Sequence, residues 1–321
     1  VRLFLALTEN NEIVGRIALI LDRAHNEFHA EDTGFFGMFE SIDNQEVADA
    51  LLNAALNWSR SKGLQKLVGP MNLSTNHECG LLVEGFDLPP TIGIPYTPPY
   101  YPDLFRRWGL VKAKDLLSLK LDIKRAIPDY MHEAALKIRN RKRSRFVIRP
   151  LRLDQFDREV GIIWEVYNSA WERNWGFVPM SRGEFNFAVQ GMKPVVQPHL
   201  CLIAEVKNEP AAFALAVPDI NQILKHLNGR LFPFGWFRFY RDKKKIDTYR
   251  VLTLGVKKKY RRLGIDMVMY HELYTQFKKQ NTEWCEMSWI LEDNLPILTP
   301  LYRMGGFVYK RHRIYERAID N

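Results

Sequence analysis

A basic, glycine-containing turn between a predicted strand and a predicted helix is the part of the sequence best suited to chemistry. An apolar run over residues 251–256 leads into the basic segment Lys257–Arg262, and an amphipathic helix follows from Gly264. The first amides of a helix lack intrahelical acceptors, and the helix dipole places about half a positive charge at this end. Gly264 would let a ligand approach the backbone, and Arg261 and Arg262 would donate to phosphate. The turn therefore predicts a pyrophosphate-binding site.

This turn resembles the phosphate-binding motif of the GNAT superfamily of acyl-CoA-dependent N-acyltransferases. That motif reads Arg/Gln-x-x-Gly-x-Gly/Ala after a strand that ends in Val. Val256, Arg261 and Gly264 occupy the corresponding positions, and Asn294 fits the downstream spacing of the family. Asp266 departs from the motif, because its carboxylate stands where the family has Gly or Ala and would repel a pyrophosphate. The resemblance implies an acetyl-CoA or other acyl-CoA co-substrate, held by Leu254, Val256, Arg261, Arg262, Leu263, Gly264, Ile265, Asp266 and Asn294.

The resemblance also implies direct transfer of the acyl group from CoA to an amine. Backbone amides of the strand over 254–256 would hold the pantetheine and polarise the thioester carbonyl. Leu301 occupies the position where many members of the family carry a general-acid Tyr, so the next residue, Tyr302, is the candidate acid. Glu286, in the apolar strand over 284–290, is the candidate base that deprotonates the acceptor ammonium. No metal is expected, because the sequence has no His/Cys cluster with ligand spacing.

The elements that must position these residues occur twice along the chain. A strand hairpin, a strand, a helix, a strand, a short helix and a strand appear in this order before residue 122 and again after residue 145. The pattern predicts an α/β (α+β) fold of two tandem GNAT-like domains, each a mixed, mostly antiparallel sheet flanked by helices. The boundaries expected are a degenerate N-terminal copy over 1–122, a basic linker over 123–145, and a C-terminal domain with the acyl-CoA site over 146–321.

The corresponding turn of the N-terminal copy, residues 41–46, has no glycine, no basic residue and two acids. An Asp or Asn there suits a helix N-cap, so we do not expect this half to bind CoA. The polar segment 72–78 follows a predicted strand and could hold a ligand between the two domains. Several aromatic residues could line a cleft for a bulky acceptor or could serve as packing: Trp171, Trp175, Phe177, Trp236 and Phe237.

Composition limits the partners. The chain has 46 Lys and Arg against 37 Asp and Glu, with basic runs at Arg139–Arg145 and Arg241–Lys245 that could steer a polyanion. No apolar run approaches the roughly 20 residues that span a bilayer. Three scattered cysteines predict no disulfide framework, and a cytoplasmic protein is expected.

Three functions remain open from the sequence. The first is transfer of an acyl group from CoA to a small-molecule or peptide amine. The second is aminoacyl-tRNA-dependent transfer like that of the peptidoglycan-bridge enzymes, which also pair two such folds and would make nucleic acid a partner. The third is a binding protein that has kept the fold and lost the chemistry, because Asp266 and Leu301 depart from the family pattern. The acceptor and the oligomeric state are not specified by the sequence.

Overall fold

A single twelve-stranded sheet runs through the chain, with helices on both of its faces. The structure is a computed structural model that describes residues 1–140, 146–230, 232 and 234–319. The strands are β1 Arg2–Leu7, β2 Ile13–Ile20, β3 Thr33–Ser41, β4 Lys66–Gly69, β5 Leu81–Glu84, β6 Val111–Asp122, β7 Val147–Pro150, β8 Cys201–Val206, β9 Glu209–Pro218, β10 Thr248–Val256, β11 Trp284–Leu291 and β12 Phe307–Ala318. The helices are α1 Arg23–His29, α2 Gln45–Ser61, α3 Tyr101–Trp108, α4 Asp129–Arg139, α5 Phe156–Trp171, α6 Arg182–Met192, α7 Asn221–Leu224, α8 Gly235–Asp242, α9 Ile265–Lys279 and α10 Leu295–Arg303.

The strand order is β1-β2-β3-β4-β12-β6-β11-β10-β9-β8-β7, and β5 pairs with β12. Neighbouring strands are antiparallel except for β3 with β4 and β10 with β11. Helix α2 connects the first parallel pair and helix α9 connects the second, as crossover geometry requires. The predicted α/β fold with a mostly antiparallel sheet flanked by helices is thus confirmed.

The last strands of the two repeated segments are exchanged. Strand β12, from the end of the chain, lies between β4 and β6, while β6 continues the sheet by pairing with β11. Tyr315 of β12 is consequently buried in the core of the first segment, and Leu119 of β6 is buried in the core of the second. The boundaries proposed from the sequence stay a prediction, but each segment completes its core with a strand from the other.

The two crossover helices begin differently. Helix α2 is capped by Asn44, whose Oδ1 accepts from the amides of Glu46, at 2.8 Å, and Val47, at 3.3 Å. Helix α9 begins at Gly264, in the left-handed region at φ 75°, and this N-cap residue offers no side-chain oxygen to the helix amides. The Asn44 side chain therefore satisfies two N-terminal amides of the first helix, and no side chain in the described part of the protein does the same for the second.

The segment expected to be a basic linker contains helix α4, which packs against α9. His132 Nδ1 lies 2.7 Å from His271 Nε2, and Arg139 forms an ion pair with Glu272. Ile138 lies so close to Gly264 that a Cβ there would be 2.7 Å from its Cδ1. The rest of the basic run, residues 141–145, lies outside the described residues.

We expect the exchanged strands to make the two segments interdependent. Residues 1–122 produced alone lack β12, and residues 146–321 alone lack β6, so each would expose unpaired edges and part of an apolar core. Each fragment should therefore show weak, non-cooperative thermal unfolding by circular dichroism. Mixing or co-expressing both fragments with residues 123–145 attached to either should restore a cooperative transition. Cooperative unfolding of the separate fragments would show that the segments are autonomous domains.

Candidate active site

Strands β10 and β11 separate partway along their length. Their parallel pairing covers only Thr248–Val251 opposite Trp284–Met287, although β10 continues to pair with β9 as far as Val256. The register of β10 against β9 shifts between Val251 and Thr253, which marks a bulge. Beyond Val251, the edge of β10 that faces β11 has no ladder partner in the described part of the chain. The sheet is therefore split by a gap next to the predicted acyl-CoA strand.

The predicted phosphate turn follows β10 directly. Arg262 and Gly264 both have φ 75°, and the backbone amides of residues 264–267 donate to no acceptor within the described ranges. The side chain of Asp266 is exposed and forms no hydrogen bond to these amides. The carboxylate that departs from the family motif consequently does not close the helix end.

The basic side chains of this turn have different roles. Arg261 donates from Nη2 to the carbonyl of Ala170 at 2.8 Å and from Nε to that of Val256 at 3.2 Å, so it ties the turn to α5 and β10. Arg262 and Lys258 are exposed and form no ion pair among the described residues, so their charges are available to a phosphate. The other two lysines are paired with carboxylates: Lys257 with Glu165, and Lys259 with Glu209.

A cavity of about 880 Å³ lies on the face of the sheet opposite α9. Helix α5 lines it with five residues spaced three or four apart: Phe156, Val160, Ile163, Tyr167 and Trp171. Because a helix rises about 1.5 Å per residue, these positions extend the cavity over roughly 22 Å. Helix α6 and the sheet complete an apolar surface with Phe185, Val189, Met192, Cys201, Phe213 and Leu215. This long, narrow and apolar space suits an extended hydrocarbon chain.

The cavity reaches the gap between the strands. Leu252 and Thr253, from the unpaired part of β10, line it together with Trp289 of β11. Thr253 Oγ1 and Trp289 Nε1 are inaccessible to solvent and have no hydrogen-bond partner in the described structure. Buried polar atoms are normally satisfied, so these two are suited to a polar group of a ligand. Trp171 closes over the strand at Gly255, where a Cβ would lie 2.1 Å from its ring.

One wall of the cavity is polar and comes from the segment 72–78. Asn72, Thr75, Asn76, His77 and Glu78 all line it. Asn76 accepts from the Tyr167 hydroxyl at 2.7 Å and donates to the carbonyl of Val178 at 2.9 Å. The segment that we predicted to be a ligand contact between the repeats therefore lies at the cavity, although its residues were not assigned chemical roles.

His77 is the cavity residue best suited to accept a proton. Its Nδ1 lies 3.2 Å from the hydroxyl of Ser74, and its Nε2 lies 3.8 Å from a carboxylate oxygen of Glu184 on α6. The imidazole is two-thirds buried and is oriented from both sides. Glu78, beside it, is exposed and also lines the cavity. An imidazole held in this way could take the proton of an amine.

The predicted base Glu286 is wholly buried within a hydrogen-bonded network where the strands separate. Its carboxylate accepts from Thr91 Oγ1 at 2.9 Å and from the hydroxyls of Ser288 and Tyr309. Arg250, which does line the cavity, lies 3.9 Å away and donates to Ser288 Oγ at 2.9 Å. The structure thus places Glu286 behind Arg250, outside the residues that line the cavity.

The side chains of the other predicted site residues do not line the large cavity. Tyr302 is 46% exposed on α10 and does not line the large cavity, and neighbouring Leu301 is buried in the apolar core. Asn294 precedes α10, where its carbonyl accepts from the amides of Ile297 and Leu298. Leu254 and Val256 pack towards α9 rather than into the cavity. Leu263 packs on the same core, and Ile265 is buried in it.

Asp219 connects the network to the loop before α3. Its Oδ1 accepts from the amides of Ile92, at 3.0 Å, and Asn221, at 3.2 Å. Burial raises the pKa of Asp219 to about 6, and the nearby carboxylate of Glu286 acts in the same direction. Gly93, one residue after Ile92, lines the cavity beside Arg250. The charge on Asp219 is therefore coupled to the polar part of the site.

Comparison with known proteins places this geometry in context. No family model matches the chain. It is 38% identical to protein YghO of Escherichia coli (strain K12) over 315 residues, covering 96% of the chain and 80% of that protein. It is 33% identical to the bacterial ceramide synthase of Caulobacter vibrioides (strain NA1000 / CB15N) over 326 residues, covering 99% of the chain and 84% of that protein.

Solved structures show the same fold at low identity. A GCN5-related N-acetyltransferase from Sphaerobacter thermophilus superposes with a TM-score of 0.56 at 11% identity, over 99% of this chain and 81% of that one. A tandem GNAT protein from the clavulanic acid biosynthesis pathway superposes with a TM-score of 0.54 at 11% identity, over 98% of this chain and 82% of that one. The predicted GNAT fold is confirmed. In the described residues, no group of three or more His, Cys, Asp or Glu side chains is placed to hold a metal, and no helix could cross a membrane.

We expect Asp219→Asn to remove a pH-dependent destabilisation. The raised pKa means that the folded protein binds a proton between about pH 4 and pH 6 that the unfolded chain has lost, so this residue reduces stability as the pH rises through that window. The unfolding free energy of the wild type, minus that of the variant, should fall by about 2 kcal/mol between pH 4 and pH 7. Urea unfolding of both proteins at pH 4 and at pH 7 measures these free energies. A difference that does not change with pH would contradict the assignment.

Proposed function

Because the chain belongs to the same family as protein YghO and bacterial ceramide synthase, we propose that it is an acyl-CoA-dependent N-acyltransferase that acts on the amine of a long-chain lipid. The observation that carries the proposal is the apolar cavity of about 880 Å³, which reaches the gap between β10 and β11. A ceramide is the amide of a fatty acid and a long-chain amino alcohol. The cavity offers the apolar length and the polar wall that such an acceptor requires.

The apolar part of the cavity supports the choice of a lipid acceptor. Its volume is near the upper end of the about 300–1,000 Å³ typical of small-molecule sites. Each methylene transferred from water into such a space contributes about 0.8 kcal/mol, so affinity would increase with chain length. A small polar amine would gain little from a surface formed by residues such as Val160, Ile163 and Val189.

The turn after β10 supports an acyl-CoA donor. The amides of residues 264–267 and the exposed cations Arg262 and Lys258 would bind the pyrophosphate. From there the pantetheine would follow the unpaired edge of β10 through the gap in the sheet, with its thioester near the buried Thr253 hydroxyl. Donor and acceptor would thus approach the gap from opposite faces of the sheet.

In the proposed reaction, the acceptor nitrogen attacks the thioester carbon, the C–N bond forms, and the C–S bond breaks. The second proton that the nitrogen loses on becoming an amide passes to the departing thiolate, so CoA is released as the thiol. We assign proton removal from the ammonium to His77, with Ser74 and Glu184 orienting the ring. Arg250 and the Trp289 indole N–H would stabilise negative charge or bind an acceptor hydroxyl. Glu286 would then act as a positioning residue that fixes Ser288 and Arg250, while Tyr302 stays a prediction as the acid.

Transfer to a long-chain amine tests the function directly. We expect the wild type to form an amide from acyl-CoA and a C18 amino alcohol, with release of CoA thiol, and acyl-CoA should raise its melting temperature. Val189→Trp would fill the cavity more than about 15 Å from Trp171, the end of α5 that contacts β10. The variant should turn over the C18 acceptor at least tenfold more slowly, with a smaller effect on a C10 acceptor.

Phe187→Trp is the matched control, because residue 187 is on the same helix and 85% exposed. Mass spectrometry of the amide and a colorimetric thiol assay measure the outcome. An equal loss of turnover with the C18 and C10 acceptors would show that the acceptor chain binds outside this part of the cavity. A wild type that binds no acyl-CoA and forms no amide would contradict the proposed function.

The proton-transfer role predicts a distinct effect of His77→Gln. The variant keeps a polar side chain of similar reach but cannot serve as a base, so kcat should fall by about 10²–10⁴-fold. The KM for acyl-CoA and the melting temperature should change little. Steady-state kinetics over pH 6–9 measure both parameters, and in the variant the dependence on a basic group should be lost. An unchanged kcat would move proton removal to another group, such as Glu78.

A further inference from the structure

The connection between β9 and β10 carries a group of aromatic side chains that contact solvent instead of the core. Phe232 and Phe234 are each 80% exposed, and α8 continues the group with Trp236, Phe237 and Tyr240, which are 50%, 57% and 70% exposed. Helix α8 has no buried residue. Five large aromatics in nine positions are far more apolar surface than a short connection needs, and such a patch marks an interaction site. None of them lines the large cavity.

The residues of α8 are separated into two faces. At 100° per residue, Trp236, Phe237, Phe239 and Tyr240 occupy one side of the helix, and Arg238, Arg241 and Asp242 occupy the other. Arg238 and Arg241 both pair with Asp242, which keeps the polar face ordered. An amphipathic helix whose apolar face is directed away from the protein is typical of elements that lie in the plane of a membrane interface.

The charge of the same segment is strongly positive. Lys243, Lys244 and Lys245 follow α8 directly as a short 3₁₀ turn. Between residues 235 and 245 there are five basic side chains and one acidic side chain, for a net charge of +4. Aromatic rings next to lysines and arginines match the headgroup region of a lipid surface, where the rings insert and the cations meet anionic phosphates. A purely protein interface would have no comparable need for the lysines.

The connection between β9 and β10 begins beside the cavity. Asp219, immediately after β9, accepts from the amide of Ile92, and Asn221 donates to the carbonyl of Pro90 at 3.0 Å. Gly93 of the same loop lines the cavity. The start of this connection and the polar part of the site are therefore held by one loop. Contact of α8 with a lipid surface would bring the cavity close to that surface.

We propose that the segment 234–245 binds the surface of a membrane that contains anionic phospholipid, with the aromatic face of α8 in the headgroup region and the lysines on the phosphates. The binding is peripheral and does not depend on catalysis. It goes beyond the proposed function and would supply that function with an acceptor already dissolved in a bilayer.

Flotation of the full chain with vesicles tests the proposal. The wild type should float with vesicles of 70% phosphatidylcholine and 30% phosphatidylglycerol, less with phosphatidylcholine alone, and less again at high salt. The triple variant Trp236→Ser, Phe237→Ser, Tyr240→Ser should bind the anionic vesicles at least about tenfold more weakly. The double variant Lys243→Gln, Lys244→Gln should bind the anionic vesicles about fivefold more weakly for each charge removed.

Two controls separate this surface from general effects. Phe187→Ser removes an equally exposed aromatic from α6, and Lys62→Gln with Lys137→Gln removes two exposed lysines elsewhere. Both control variants should float like the wild type. All variants should keep the wild-type melting temperature, because the altered side chains pack on little. They should also keep the wild-type rate of amide formation with a detergent-dispersed acceptor. Loss of membrane binding is thereby distinguished from loss of the reaction.

Several outcomes would overturn the proposal. The wild type could remain in the soluble fraction with every vesicle composition, or the triple serine variant could float as well as the wild type. Sedimentation velocity adds a third: if the wild type is a dimer that the triple variant converts to a monomer, the aromatic face covers a second copy of the chain and not a lipid surface.

Discussion

Between β10 and β11 the hydrogen-bonded ladder stops at Val251 and Met287, and the polar groups near this break must be satisfied in another way. Where the two strands still pair, Glu286 accepts hydrogen bonds from three hydroxyl groups and lies beside Arg250. A buried carboxylate is stable only with such compensation, because desolvation would otherwise cost several kcal/mol. Beyond Val251, the edge of β10 that faces β11 and the hydroxyl of Thr253 have no hydrogen-bond partner among the described residues. The network thus fixes the point where the sheet divides, and the division provides space for substrates.

The exchange of β6 and β12 makes this arrangement a property of the whole chain. Tyr309, which donates to Glu286, and Lys310 belong to strand β12, which also completes the first core through Tyr315. Lys310 is buried and donates to the backbone carbonyls of Gly85 and Leu88, so the loop after β5 is tied to the same strand. A displacement in one segment would therefore reach the active site of the other through paired backbone, which loosely linked domains would not allow.

The sequence was sufficient for those features that depend on local patterning. The strand, basic turn and helix around Gly264 formed as the motif indicated, and of the Asp and Asn that suited an N-cap within residues 41–46, Asn44 caps α2. The strand exchange could not be predicted, because a repeat of element order is compatible with either pairing of β6 and β12. The surroundings of Glu286 could not be predicted for a related reason: its partners Thr91 and Tyr309 lie 195 and 23 residues away. Its role as the base stays a prediction. His77 was within a segment recognised as polar, but its orientation depends on Glu184, which only the tertiary fold brings near.

The two repeated segments contribute different features to the candidate site. In the first, Asn44 occupies the amides that would have bound phosphate, so that helix end is chemically closed. The same repeat contributes Asn76, His77 and Glu78 to the cavity of the second, and Asn76 is fixed there by Tyr167. The second repeat keeps the vacant helix end, the divided strands and the long apolar space along α5. Under the proposed function, the loop of the first segment that carries Asn76, His77 and Glu78 would form the polar wall that orients the acceptor amine.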